Sequence, residues 1–400
     1  MGAANLDFHT VPGVKMGSIA CGIKSDSTND LVMFEFAAGS KTAAVFTKSL
    51  FAAAPVQVGK RHLAQVPARY FIINSGNANA ATGEPGIADS LICCKTLSQL
   101  SGTRPEETVP FSTGVIGERL PVHLITEALD QLLPMLQENN WLQAARGIMT
   151  TDTRPKIASR QAEISGKTIT ITGIAKGAGM IQPNMATMLS YIATDAEIPQ
   201  RALQGMLERA VNKSFNRITV DSDTSTNDSC MLTATGVSGV AVVEGEGSGE
   251  HFYHLLEDLM IELAQGLVRD AEGATKFVEV LVINGARKQD CLNIAYAIAN
   301  SPLVKTAIFA SDANWGRIVM AIGKADVQID ISKLDLYVGD VRLMLNGGRS
   351  PGYEESMGAD AMAGEEITIT VDLKSGDARE RVWTSDLSHD YIRINAGYRT

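Results

Sequence analysis

The sequence predicts a mixed α and β protein whose sheets are covered by helices. Three observations support that class. Strand-like and helix-like segments alternate along the whole chain. Its 400 residues exceed what one ordinary core holds, so two lobes or one large layered domain are expected. An apolar fraction of 45% beside 20% charged residues is the composition of a soluble globular chain rather than a disordered one.

Taken in order, "DLVMFEFAAG" and "KTAAVFT" read as a hairpin, and "ARYFIINSG" as a buried strand. "GIADSLICCKTLSQL" has helical spacing and should end near Gly102. "TVPFSTGVIG" is a strand running into a glycine turn, and "PVHLITEALDQLLPMLQ" is helical, with Pro121 suited to a first turn. "KTITITGIA" alternates Thr and Ile with period two, as a half-buried strand does. "IPQRALQGMLERAVNKSF" is helical from about Pro199, "SCMLTATGVSGVAVV" is strand-like, and "FYHLLEDLMIELAQGLVRD" is an amphipathic helix. "VEGEGSGE" (243–250) is the best candidate for an exposed loop, and the remainder continues the mixture without repeats.

A formal net charge of −10 with no Lys/Arg run argues against nucleic acid or an anionic membrane as partner. Apolar runs such as "VEVLVI" fall far short of the roughly 20 residues that span a bilayer. The opening "MGAANLDFHTVPG" lacks a basic start and an apolar core, so no export signal is read and the cytoplasm is expected. Five scattered cysteines without a C-x-x-C pair suit reduced thiols, with Cys93 and Cys94 read as buried in a helix. His251 and His254 are three apart but lack partners, so neither a metal nor a cofactor is expected. His389 could serve as a base or simply be a surface histidine.

The richest stretch is "KGAGMIQPNMATMLSYIATDA" (176–196), a glycine-rich loop leading into an apolar strand. Thr187 is its polar intruder, and β-propensity alone accounts for it. Its surroundings support a second reading. Lys176, Gly177 and Gly179 place a cation and exposed amides upstream, as a site handling a carbonyl or carboxylate needs. Ala186 leaves its carbonyl open to attack. A Thr hydroxyl needs a base, and a free α-amine on the same residue, with a pKa of about 7.7–8.0, would supply one. That requires a cut between Ala186 and Thr187. A phosphate loop does not fit, because the lysine precedes the glycines.

With seven further collinear blocks, this stretch resembles the glutamate N-acetyltransferase/ornithine acetyltransferase family of arginine biosynthesis. Those blocks are "INSGNANAATG", "STGVIGE", "MTTDTRPK", "STNDS", "EGATK", "DANWGRI" and "YIRINAGYRT". The resemblance implies an αββα sandwich of the self-processing ornithine acetyltransferase/aminopeptidase kind, with a second α/β lobe. It also implies a precursor that cuts itself into an α chain, 1–186, and a β chain, 187–400, assembled as two of each. Acetyl would pass from N2-acetyl-L-ornithine to Thr187 and then to L-glutamate. Family members differ in whether acetyl-CoA is also a donor, and both alternatives stand.

By matching positions, the resemblance assigns Thr187 as nucleophile and Thr113 and Gly114 as the oxyanion hole. It assigns Thr150, Lys176, Thr187, Glu272, Asn395 and Thr400 to the substrate, with Thr151 and Thr153 competing for the place of Thr150. Lys176 suits an α-carboxylate, Glu272 an ammonium, and Asn395 either partner. Ser222 and Ala271 stand where the family usually has glycine. "NSGNANAATG" and "DANWGR" also read as an Asn/Gly-rich turn and as a helix cap with an anchoring Trp315. Rival functions are an N-terminal-threonine amidase or aminopeptidase, and a non-catalytic amino-acid-binding relative.

Overall fold

Two sheets face each other across one apolar layer. The computed structural model describes residues 8–182 and 188–397. The first sheet runs β1 (Val14–Ile19), β2 (Leu31–Phe36), β4 (Tyr70–Asn77) and β5 (Thr108–Val115) in that spatial order, with β4 and β5 parallel. The second runs β3 (Lys41–Phe46), β10 (Ser229–Ala234), β8 (Leu189–Thr194), β7 (Lys167–Lys176) and β6 (Lys156–Ile164). Side-chain alternation along a strand sorts the two faces. From β2, Phe34 enters the layer between the sheets while Leu31 and Met33 face the outer helices. Phe71 and Tyr191 meet Phe34 there, and Phe111 stands edge to face with Tyr191, ring centres 5.1 Å apart.

Helices cover both outer faces. α1 (Ala54–Leu63), α2 (Gly83–Ser101) and α3 (Val122–Leu132) lie on the first sheet's side, and α4 (Trp141–Gly147) packs its tryptophan into the inter-sheet layer. α5 (Gln200–Lys213) and α6 (Gly247–Arg269) cover the second sheet, Leu203, Leu207, Leu259 and Leu263 meeting Ile171, Ile192 and Leu232. Four layers result, helix on sheet on sheet on helix, which is the αββα sandwich implied by the sequence blocks.

The second lobe is a seven-stranded sheet. Its strands are β9 (Ile218–Thr219), β11 (Phe277–Gly285), β12 (Asp335–Val338), β13 (Val341–Leu345), β14 (Gly348–Arg349), β15 (Glu366–Asp372) and β16 (Ala378–Ser385). α7 (Lys288–Ala299), α8 (Pro302–Phe309), α9 (Trp315–Gly323) and α10 (Glu355–Met362) accompany it, their buried side chains sharing one core with the sheet. Phe277 and Trp383 instead join the core of α6, so that helix has a sheet on either side. α11 (His389–Gly397) follows. The Asn314 side chain caps α9 by accepting from the Arg317 N–H at 3.3 Å, and Trp315 packs on the lobe's core.

Several expectations change. The β2 and β3 segments do not form a hairpin: they belong to opposite sheets, β2 between β1 and β4, β3 beside β10. The turn between them crosses the sandwich instead of reversing within a sheet. β7 is buried from Ile169 onward rather than half-buried, because α6 covers one face and the first sheet the other. Its threonines are satisfied by polar partners, Thr172 donating to the His9 carbonyl at 2.7 Å. α3 stops at Leu132, where Pro134 cannot continue the hydrogen-bond ladder. α6 begins at Gly247, inside the stretch read as a loop, and β10 ends at Ala234, well short of the strand-like run. Cys93 and Cys94 are buried on α2, which closes on left-handed Gly102, φ 73°.

The proposed fragments 1–186 and 187–400 do not coincide with the lobes. Both contribute strands to the second sheet, β3, β6 and β7 from the first and β8 and β10 from the second. Among the described residues, no helix is long and apolar enough to cross a membrane.

Candidate active site

The pocket forms where β5 and β7 end and β8 begins, near the loops after α4, before β10 and after α6. Glycine geometry opens it. Gly114 has φ 134°, and a Cβ there would lie 2.3 Å from the Gly76 carbonyl carbon, so β4 and β5 approach only because the residue is glycine. Gly179 is crowded differently: a side chain would strike the Glu272 carboxylate, 2.5 Å from its Oε2. The glycine loop thus shapes a wall for Glu272 and is not a phosphate cradle.

Lys176, the last residue of β7, is the buried cation of the pocket. Its Nζ donates to Thr113 Oγ1 at 3.0 Å and to Thr150 Oγ1 at 2.9 Å. Burial pulls its pKa below the ordinary lysine range, while the nearby Asp152 carboxylate works in the opposite direction. Because each hydroxyl accepts from the ammonium, its own O–H is turned to other acceptors, and Thr113 becomes a polarised donor on the pocket wall.

Asp152 organises the floor. It accepts from Gly177 N–H at 2.8 Å and from Thr150 N–H at 3.1 Å, and it pairs with Lys156. Burial alone would raise this carboxyl, but Lys156 and Lys176 outweigh that and hold it down at about 2. Lys156 also pairs with Asp270, which accepts from Thr153 N–H at 3.0 Å. Thr153 therefore faces away from the pocket, whereas Thr150 carries the hydroxyl on Lys176 and Thr151 lines the same wall.

Glu272 and Asn395 close the far side, Asn395 Nδ2 donating to Glu272 Oε2 at 2.8 Å. Gly273 makes this approach feasible: its φ is 67°, and a Cβ would lie 2.5 Å from the Tyr391 nitrogen, so α11 docks directly on its backbone. Asn227 stitches the opposite side, donating to the Ala78 carbonyl at 2.6 Å and the Ser112 carbonyl at 2.8 Å. The "NSGNANAATG" turn is a buried polar network as well as a link, since Asn79 donates to Gly86 at 2.9 Å and Ala78 lines the pocket.

Thr113, Gly114, Thr150, Lys176, Glu272 and Asn395 thus share one pocket. Ala186, Thr187 and Thr400 lie outside the described residues, while Met188 is on the pocket wall. Sequence reasoning missed Asp152 and Asn227. Both sat inside quoted blocks, and the signal was a carboxylate or amide embedded in a short polar run with no assigned partner. His389 is exposed at the start of α11, edge to face with Phe309.

The sandwich and its pocket define an αββα enzyme with a polar site centred on a buried lysine. A model of the ArgJ family matches residues 15–400, and the chain belongs to that family. It is 52% identical over 397 residues to the arginine biosynthesis bifunctional protein ArgJ of Pseudomonas syringae pv. tomato, covering 98% of each chain. The protein of that name from Methylococcus capsulatus is 50% identical, with 98% of this chain and 96% of the relative covered. Among solved structures, Bacillus halodurans ArgJ matches 51% of this chain and 96% of its own, at 38% identity and a TM-score of 0.49. Ornithine acetyltransferase complexed with ornithine, from Mycobacterium tuberculosis, matches 44% of this chain and 94% of its own, at 31% identity and a TM-score of 0.40.

Proposed function

We propose that this chain cuts itself between Ala186 and Thr187 and then moves acetyl from N2-acetyl-L-ornithine to L-glutamate through an acetyl-Thr187 ester. As a member of the ArgJ family it is an enzyme of arginine biosynthesis. The observation that carries the reading is the convergence of Thr113, Gly114, Thr150, Lys176, Glu272 and Asn395, from separate stretches of sequence, on one pocket that also includes Met188, the neighbour of Thr187.

In the cut, the Thr187 hydroxyl oxygen attacks the Ala186 carbonyl carbon and the C–N bond breaks. Water hydrolyses the resulting ester, leaving an Ala186 carboxylate and a free amine on Thr187. That amine is the base for the transfer, taking the Thr187 hydroxyl proton as the oxygen attacks the acetamide carbon. The developing oxyanion is met by the Thr113 hydroxyl and the Gly114 N–H. Ornithine leaves with the proton, and the glutamate amine then attacks the acetyl ester and restores the hydroxyl. Lys176 holds the Thr113 hydroxyl in place and offers charge to an α-carboxylate; Glu272 offers charge to an ammonium, steadied by Asn395.

The relatives' name, bifunctional protein, supports acetyl-CoA as a second donor. No cofactor enters this scheme, the assembly is two α and two β chains, and the place of action is the cytoplasm. Incubation with N2-acetyl-L-ornithine, with and without glutamate, tests the transfer. N-acetylglutamate should form and free acetate should stay negligible. Acetate released equally fast without glutamate would instead make the protein an amidase.

A further inference from the structure

The chain leading toward residue 186 is held by a carboxylate that the scheme above does not use. Asp221 follows β9, and its Oδ2 accepts from Met180 N–H at 2.7 Å while its Oδ1 accepts from Ile181 N–H at 2.8 Å. Three more bonds join the same two stretches. Val220 N–H donates to the Ile181 carbonyl at 2.6 Å, Gln182 N–H to the Asp223 carbonyl at 2.8 Å, and the Thr224 hydroxyl to the Gln182 carbonyl at 3.0 Å. Met180 is held at φ 56°, a left-handed conformation that a non-glycine residue keeps only when its surroundings enforce it. Two charge-assisted bonds from one carboxylate are such an enforcement.

The same carboxylate reaches α11. Tyr391 Oη donates to Asp221 Oδ2 at 3.1 Å, and burial together with the Asp221 charge pushes that phenol up, so it remains a donor. Asn395 is one helical turn further on the same face, and its Nδ2 donates both to the Tyr391 carbonyl at 3.0 Å and to Glu272. One side chain therefore touches the loop that leads toward the proposed cut and the helix that brings Asn395 to Glu272.

We propose that Asp221 is a positioning residue that sets both arms of the site, residues 180–182 for self-cleavage and α11, through Tyr391, for seating Asn395 against Glu272. This rests on the function proposed above. The two arms separate by substitution, since Tyr391→Phe removes one hydroxyl from the second arm and leaves both backbone bonds of the first.

The experiment follows precursor cleavage by mass and transfer by steady-state kinetics, each normalised to folded protein. Asp221→Asn should slow cleavage about tenfold or more, the loss expected when charge-assisted bonds are weakened. Tyr391→Phe should cleave at the wild-type rate, yet raise KM for N2-acetyl-L-ornithine about three- to tenfold with kcat unchanged. Wild-type cleavage by Asp221→Asn would overturn the first arm, and an unchanged KM in Tyr391→Phe the second. If Asp221→Asn does not fold, Asp221→Glu, which keeps the charge but displaces the carboxylate, decides the first arm, wild-type cleavage overturning it, and the Tyr391→Phe kinetics decide the second. Thr187→Ala separates the underlying reading: a variant that still cleaves and transfers refutes the nucleophile without bearing on Asp221.

Discussion

Lys176 Nζ lies 3.0 Å from Thr113 Oγ1, joining the last residue of β7 in one sheet to the strand that carries the proposed oxyanion donors in the other. The ammonium donates to two hydroxyls, so the inter-sheet contact and the proposed chemistry share one atom. Replacing Lys176 with Met should lower kcat by about 10²- to 10³-fold, comparable to losing one oxyanion donor. Thr113→Val should cost a similar factor. In kcat the double variant should cost little more than either, because there both act through the same hydroxyl, while loss of the Lys176 charge for an α-carboxylate is read in KM; additive losses in kcat would show that they act separately.

Gly114→Ala should be poorly tolerated whatever its effect on chemistry. The added carbon would sit 2.3 Å from the Gly76 carbonyl carbon at a φ of 134°. Separating β4 from β5 and straining the backbone should cost roughly 2–4 kcal/mol, read as a lower urea midpoint at unchanged slope.

Asp152 gives stability a defined pH dependence. Its folded pKa is about 2 against an ordinary 3.8. The ionised form is favoured in the fold, so its contribution is complete above about pH 4 and is lost as pH falls through 2. That contribution is roughly 2 kcal/mol. The stability gap between wild type and Asp152→Asn should narrow by about that much between pH 6 and pH 2. A gap independent of pH would contradict the pairing with Lys156 and the influence of the Lys176 charge.

Ser222 and Ala271, the two positions where glycine was expected, should behave oppositely. Ser222 has φ 67°, whereas Ala271 does not have a positive φ. Ala271→Gly should cost about 0.4–1 kcal/mol through the unfolded chain's added freedom. Ser222→Gly should be neutral or slightly stabilising, since relief of the left-handed strain offsets that entropy. Thermal unfolding of the pair decides it.

Local chemistry made much of this fold legible. Apolar runs located β4, β5 and β8, period two located β7, helical spacing located α2, α5 and most of α6, and glycine marked the end of α2 and asparagine the start of α9. The pairing of β2 and β3 was not legible, because a four-residue turn can close a hairpin or cross between sheets, and only the partners supplied by β4 and β10 decide which. The full burial of β7 was hidden for the same reason: its threonines look solvent-facing until long-range partners such as the His9 carbonyl are in place. At the site, residues with obvious chemistry, Lys176 and Glu272, could be named from their blocks. Asp152 and Asn227 could not, since their importance lies in backbone groups brought close by folding, and Asp221 has its meaning only through contacts with Met180 and Tyr391.

The most direct measurement is intact mass and N-terminal sequencing of the purified protein. Two fragments, 1–186 and 187–400, with a free α-amine on Thr187, are the predicted result. A single intact chain that carries full acetyl-transfer activity would contradict the account.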